Sequence, residues 1–350
     1  MAKERTNRVV ACRGGGRTAI ETRPAPAPGP GEMVLGLRVV GLCGTDLFKL
    51  GTGGDPPGMV LGHELVGEVL QLGSGVEGFA VGNRVAVPHH VPCGECVYCR
   101  HGSQTMCETF RENLLEPGGF AERILVRPRA AALAARLVPD TVTDEAAVFL
   151  EPGACVLRGV RRAGLAEGDG AAILGGGSMG LLHLLILRAL FPAMPLVVAD
   201  PVKDRRALAT ELGASAAVAP GGDARNALLD LTEGAGAGAV FDTVGGARLL
   251  ESAIGLTRRG GSVVLFAHAP EGEHADFDLN ALFKYERRVI GSYSGALAEQ
   301  EEVFALMAAG RLDPSPLVSH RMPLDRFEDG VRLSRERKAL KVLFTPGATG

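Results

Sequence analysis

The chain carries almost no net charge: 37 Lys and Arg against 40 Asp and Glu leave −3 over 350 residues. Without a basic field, nucleic acid is not an expected partner. An apolar leader is missing too, because the opening MAKERTNRVV is polar and does not read as a secretory signal. Nor is there a hydrophobic run fit to span a membrane. The most apolar segment, 171–199, is broken by Gly175, Gly176, Gly177, His183, Arg188, Pro192 and Pro195. No internal repeat is present, and the Pro-rich stretch 24–30 reads as a turn rather than a tether. These absences leave a cytoplasmic protein as the expectation. The length suffices for two domains and a large core. The composition, 46% apolar and 22% charged, is ordinary for a globular chain.

Cysteine is also scarce, with seven in all, yet four of them crowd into VPCGECVYCRHGSQTMC. Cys93, Cys96, Cys99 and Cys107 follow the pattern C-x2-C-x2-C-x7-C. Disulfides suit neither a reducing compartment nor loops this short. Ferredoxins also begin C-x2-C-x2-C, but they continue x3-C-P, whereas here Glu108 follows the fourth cysteine. A tetrahedral zinc site of four thiolates fits best. Gly94 and Gly102 let the chain fold round the ion. Four protein ligands leave no position for a substrate, so this zinc would be structural, pinning a lobe at about 91–110.

Residues 1 to about 150 read as short strands and glycine-rich turns, with β-rich runs at 34–40, 66–72 and 84–87. From about 156 to 295 strands alternate with helices: strand 171–174, helix 178–190, strand 196–199, helix 203–212, then strands at 239–241 and 262–266. That alternation implies a parallel, doubly wound sheet. Helix 178–190 is apolar nearly all round, as expected of one packed deep against a sheet. The tail mixes an amphipathic helix at 299–309 with short strands.

GGGSMG, residues 175–180, fits G-x-G-x-x-G as Gly175, Gly177 and Gly180, with Ser178 and Met179 between. In a chain with 49 glycines the match means little alone. Here an apolar strand precedes it, a helix follows, and Asp200 closes the next strand. Gly175 permits the tight turn, Gly177 lets the backbone approach a pyrophosphate, and Gly180 allows close helix–strand packing. Asp200 would accept hydrogen bonds from ribose hydroxyls and repel a 2′-phosphate, which favours NAD over NADP; its bland alternative is a helix N-cap. Lys203 and Arg205, just beyond, would weaken that preference.

Cys43 in GLCGTD and His63 in GHELVGEVLQLGSGV would each be unremarked alone. Together, ahead of the dinucleotide segment, they change the reading. With Gly62, His63, Glu64, Gly67 and Gly73 in place, the chain resembles the zinc-dependent medium-chain alcohol and polyol dehydrogenases over nearly its whole length. The resemblance implies an α/β protein of two domains. A GroES-like β-rich catalytic domain would comprise 1–157 and 296–350, and a Rossmann domain 158–295, with the active site in the cleft. It implies two zinc ions per subunit, NAD as cofactor and a homodimer or homotetramer. Cys43 and His63 would ligate the catalytic zinc, Asp46 would orient His63, and Glu64 would lie close enough to ligate transiently. The third ligand divides the family between cysteine and glutamate. FLEPGAC offers Glu151 and Cys155, and its Glu-Pro pair matches the glutamate branch, so Glu151 is expected, directly or through water.

The implied reaction moves hydride between NAD and a secondary alcohol of polyol, sugar or amino-alcohol type. Thr45 would pass on the proton. Relatives often carry a histidine three residues later, where this chain has Phe48. His89 and His90 precede the zinc lobe, and either line the cleft or merely end a strand. Thr243 in FDTVGG and the Ser292–Tyr293 region resemble cofactor-contacting loops, while His268 reads either way. The competing readings are a primary-alcohol dehydrogenase and a zinc-stabilised NAD(H)-binding protein without turnover. The second would be expected to have lost Cys43, His63 and Glu151.

Overall fold

A computed structural model describes residues 6–347. The first five residues, half of the polar stretch read above as lacking a leader, lie outside the described residues. The chain forms two compact units, Met1–Pro152 with Ala296–Gly350, and Gly153–Gly295. The helix Leu150–Ala163 runs through the point at which the first gives way to the second. No helix among the described residues is long and apolar enough to cross a membrane.

The first unit is built on a mostly antiparallel sheet. Its central strand, Met33–Gly41, is buried at every position but Gly36 and Arg38, and it pairs antiparallel with Glu64–Leu72. Arg84–Pro88 and Arg136–Leu137 extend the sheet on that side. On the other side Lys341–Thr345 pairs with Gly41 and Val40, and Val318–Pro323 follows in parallel. A hairpin of Thr6–Gly14 and Arg17–Pro24 stands apart as a second small sheet. The core is aliphatic, with Phe120, Phe327 and Phe344 meeting ring to ring at 4.7–5.8 Å. Gly41 lies directly opposite Glu64 in register. The last strand therefore delivers Lys341 beside a residue near the start of the fold.

The second unit is a six-stranded parallel sheet. Its order is Ala216–Val218, Leu196–Ala199, Ala171–Leu174, Ala237–Asp242, Thr257–Leu265, Arg288–Gly291. In chain order this is 3-2-1-4-5-6, the doubly wound arrangement. The strands Ala171–Leu174 and Leu196–Ala199 and the helix Ser178–Leu190 match the expected spans. That helix buries Leu181, Leu182, His183, Leu184, Ile186 and Leu187, as its apolar circumference requires. The order reverses between Ala171–Leu174 and Ala237–Asp242, and each strand is followed directly by a residue read as cofactor-contacting, Gly175 and Thr243.

Candidate active site

One buried carboxylate gathers the segments of the first unit expected to ligate metal. Cys43 precedes the helix Gly44–Thr52, and His63 and Glu64 open the strand Glu64–Leu72. Asp46, in the first turn of that helix, is 1% exposed. Its Oδ2 accepts the Cys43 N–H at 3.1 Å, and its Oδ1 accepts the Gly62 N–H at 3.3 Å. His63 Nδ1 lies 3.5 Å from the same Oδ1. A histidine steered this way by a carboxylate keeps Nε2 for a ligand. Burial alone would lower the His63 pKa, but Asp46 and Cys43 outweigh it and raise the ring well above its ordinary value. Burial likewise opposes the Asp46 charge, and His63 with the two N–H groups still holds that carboxyl below its usual range.

The ligand atoms of Cys43, His63 and Glu64 all lie within 4.8 Å of one another. Glu64 is 1% exposed; its Oε2 is ion-paired with Lys341 Nζ, and its Oε1 has no hydrogen-bond partner. A buried carboxylate oxygen without a donor is costly, and a cation held among these three donors would satisfy it. Sulfur, imidazole nitrogen and carboxylate oxygen form a donor set suited to zinc. The residues present therefore fit the implied metal. Burial would lower the Lys341 pKa, but Glu64, Cys43 and Asp46 outweigh it and raise it.

The other expected residues are placed as follows. Thr45 is half-buried at the start of the helix Gly44–Thr52, and Phe48, one turn on, is exposed. Glu151 and Cys155 are half-buried in the first turns of Leu150–Ala163. Glu151 is not in the set that meets within 4.8 Å; Glu64 is. His89 and His90 follow directly on the strand Arg84–Pro88 and form a ring stack on His63. Centroid distances are 4.5 Å from His63 to His89, 3.5 Å from His89 to His90, and 5.1 Å from His90 to Phe110. Burial, then the neighbouring His63 charge, pushes His89 well below the ordinary histidine value and His90 down to about 3. Both rings are thus neutral at neutral pH. Two adjacent histidines at a strand end were the visible signal for this stack; its contact with His63 was not.

In the cysteine lobe all four thiols are free. Sγ–Sγ distances are 3.5 Å for Cys93–Cys107, 3.6 Å for Cys96–Cys99 and 3.9 Å for Cys93–Cys99. Four thiolates about 2.3 Å from one ion would stand about 3.8 Å apart, so the spacing fits a tetrahedral zinc. Backbone N–H groups of Cys93 and Cys96 donate to the sulfurs of Cys107 and Cys93. Burial raises the Cys107 thiol, but the Cys93 N–H and Thr109 outweigh it and bring it down to about 6. Phe110, fully buried, is the only large apolar side chain of the lobe's small core.

In the second unit the glycine-rich turn is braced from two sides. Gly175 has φ of 103°, and a side chain there would collide with Thr243 Oγ1 and Val244. A Cβ on Gly180 would overlap the Gly175 carbonyl, so helix and strand meet only because both are glycine. A Cβ on Gly177 would meet nothing within 4 Å beyond its chain neighbours, which leaves open the space a pyrophosphate would approach. Thr243 Oγ1 donates to the Leu174 carbonyl at 2.7 Å. Asp200 Oδ2 accepts the Gly176 N–H and Oδ1 the Val202 N–H, both at 2.7 Å. Val202, rather than Asp200, is the N-cap of Lys203–Glu211. Arg205 Nη1 is 3.7 Å from Asp200, whereas Lys203 is exposed. His268 is exposed and Ser292 Oγ is buried without a partner.

A doubly wound dinucleotide unit, in one chain with a β-rich unit that carries a thiolate–imidazole–carboxylate set, defines a metal-assisted dehydrogenase. Known proteins agree. The family profile described as Alcohol dehydrogenase GroES-like domain matches residues 29–137, and that described as Zinc-binding dehydrogenase matches 179–309. L-threonine 3-dehydrogenase of Thermococcus kodakarensis is 31% identical over 329 residues, covering 92% of each chain. Sorbitol dehydrogenase of Halalkalibacterium halodurans is 29% identical over 342 residues, 95% of this chain and 97% of that one. Among solved structures, a protein of Sinorhizobium meliloti 1021 described as a zinc-binding dehydrogenase, bound to NADP, superposes with a TM-score of 0.87 at 29% identity, covering 98% of this chain and 100% of that one. The chain belongs to the zinc-dependent medium-chain alcohol and polyol dehydrogenase family. The expected α/β fold, oxidoreductase activity, zinc and nicotinamide cofactor all stand with it.

Proposed function

We propose that the protein oxidises a secondary alcohol flanked by a polar group, of polyol or amino-alcohol type, to the ketone, with NAD as hydride acceptor. The supporting observation is the set Cys43, His63 and Glu64 with its orphaned Glu64 oxygen. These residues would hold the catalytic zinc, and Glu151 would join them through water. When bound, zinc supplies a Lewis acid that brings the pKa of an alcohol hydroxyl toward neutrality. Asp46 keeps His63 oriented and in the right tautomer. Thr45 accepts the hydroxyl proton and hands it on, since Phe48 can do neither. His89 and His90 stay neutral and exclude bulk water from His63. The turn at Gly175–Gly180 takes the pyrophosphate on N–H groups, and Asp200 takes the ribose hydroxyls and disfavours a 2′-phosphate.

We place the protein in the cytoplasm, where its seven cysteines, none of them in a disulfide, would stay reduced. Self-association into a homodimer or homotetramer is supported by the open edge of Arg288–Gly291 and by the exposed Leu279 and Phe283 beside it in sequence. The relatives named for threonine and sorbitol direct the substrate test. Polyols, 1,2-amino alcohols and simple primary alcohols should be compared by absorbance of the reduced nicotinamide, with NAD and with NADP. Secondary alcohols with a vicinal hydroxyl or amine should lead in kcat/KM. A clear preference for simple primary alcohols would reject the substrate class. Full activity and zinc content in Glu151→Gln would remove Glu151 from the site.

A further inference from the structure

Lys341 is the least expected charge in the catalytic unit. Its side chain is 3% exposed, and the Glu64 it pairs with is 277 residues away in sequence. The sheet makes a place for this pair. Gly41 faces Glu64 across the central strands, and a Cβ on Gly41 would strike both Glu64 Oε2 and the end of the Lys341 side chain. The ring of Phe149 covers the ammonium, with Nζ 5.5 Å from its centroid.

We infer that Lys341 is a positioning residue for Glu64, limiting it to one ligating oxygen and keeping the metal centre open to substrate. The inference rests on the reading of Cys43, His63 and Glu64 as metal-ligating. Glu64 Oε2 is committed to the ammonium, so only Oε1 is free to face a metal. Carboxylates bind metals through one oxygen or two, and the ion pair removes the second choice. Charge acts in the same direction. Cys43 thiolate and Glu64 together offer two negative charges, and the fixed positive charge of Lys341 offsets one of them. In a buried site that offset is felt strongly by a divalent ion. Without the ammonium, the ion would be held more tightly. Glu64 would also turn both oxygens toward it, into the position that a substrate hydroxyl needs.

The test follows zinc release from the purified protein to a chromogenic chelator. Wild type, Lys341→Met, Lys341→Arg, Glu64→Gln and the double variant Glu64→Gln/Lys341→Met are compared, with release from the cysteine lobe as the internal reference. Lys341→Met should slow release of the other zinc on the order of tenfold or more, opposite in sign to the affinity loss usual when a group behind a metal ligand is removed, because the group removed here is a cation. The KM for alcohol should rise more than kcat falls. Lys341→Arg should restore wild-type release. Glu64→Gln, which removes the carboxylate, should speed release, and adding Lys341→Met should then change it by less than about threefold, because the group that the lysine positions is gone. This last comparison decides the matter even if Lys341→Met alone does not fold. Wild type with two zincs, and release from folded Lys341→Met as fast as its own, overturns the inference alone. The same slowing by Lys341→Met in the Glu64→Gln background also overturns it, because the lysine would then not act through Glu64. Wild type holding only the lobe zinc overturns the site reading and the inference together.

Discussion

Replacing His183 with leucine should make the dinucleotide-binding unit more resistant to acid. His183 is fully buried in the helix Ser178–Leu190, between Phe241 at 5.0 Å and Phe266 at 4.6 Å. Its Nδ1 is 2.7 Å from the Met179 carbonyl, so Nδ1 carries the proton and donates it. Nε2 is then a bare acceptor with no partner. Burial pushes the ring pKa down to about 4. An unfolded histidine titrates near 6.5, so between these values the unfolded chain binds a proton that the folded chain refuses. Stability from this residue is full above about pH 6.5 and falls by about 1.4 kcal/mol per pH unit as acid is added. By pH 4 the loss is about 3 kcal/mol. His183→Leu cannot titrate and escapes that loss. Urea unfolding of both proteins by far-UV circular dichroism, from pH 8 to pH 4, measures it. Subtracting wild type from variant cancels titrations elsewhere, including those of the metal ligands. The difference should be flat above pH 7 and then grow in favour of leucine by about 3 kcal/mol. A difference that stays constant across the range would refute the reasoning.

Elemental analysis should give two zincs per chain, and Cys96→Ser should lose one of them together with solubility, because a structural zinc contributes folding energy outright; an active enzyme with one zinc would sink the two-site account. Asp200→Ser should raise the ratio of kcat/KM for NADP over NAD, read from initial rates with each cofactor, and an unchanged ratio counts against the ribose role. The same variant should lower the melting temperature, because Asp200 also bonds the N–H groups of Gly176 and Val202. Thr45→Ala should cripple turnover and Thr45→Ser should be mild, while His89→Ala and His90→Ala should stay within a few-fold of wild type in kcat. A large kcat loss in either histidine variant, with zinc and NAD bound normally, would show that the relay runs through the stacked rings.

What the sequence displayed was whatever is encoded over a short span. The four cysteines lie within one loop, and their spacing alone announces a tetrahedral site. The turn at Gly175–Gly180 is likewise local, as are the apolar strand before it and the apolar helix after it. Contacts made across the sheet were not visible. Nothing near Lys341 signals that it meets Glu64, because the meeting depends on the last strand docking beside Met33–Gly41. The hairpin Thr6–Gly14 with Arg17–Pro24 was hidden for a related reason. Arg17–Pro24 has no apolar face to bury and is held by its partner's ladder rather than by its own pattern. Helix Leu150–Ala163 was obscured by Pro152, Gly153 and Gly159, although proline is well tolerated in a first turn. Asp200 had two candidate roles in the sequence, and its two backbone donors show a third, as the clasp of the turn.

The single carboxylate of Asp46 touches the Cys43 backbone, the Gly62 backbone and the His63 ring. That makes the proposed catalytic metal site a socket assembled before its ion arrives. In the cysteine lobe the cross-links between ligand segments run through the sulfurs themselves, over a core with one phenylalanine. The two sites should then answer differently to the same chelator. Emptied at Asp46, the protein should keep its shape and recover when zinc is returned, so that this metal would exchange during the protein's lifetime. Emptied at the lobe, it should lose the scaffold that would recapture the ion, and the damage would pass to every later step.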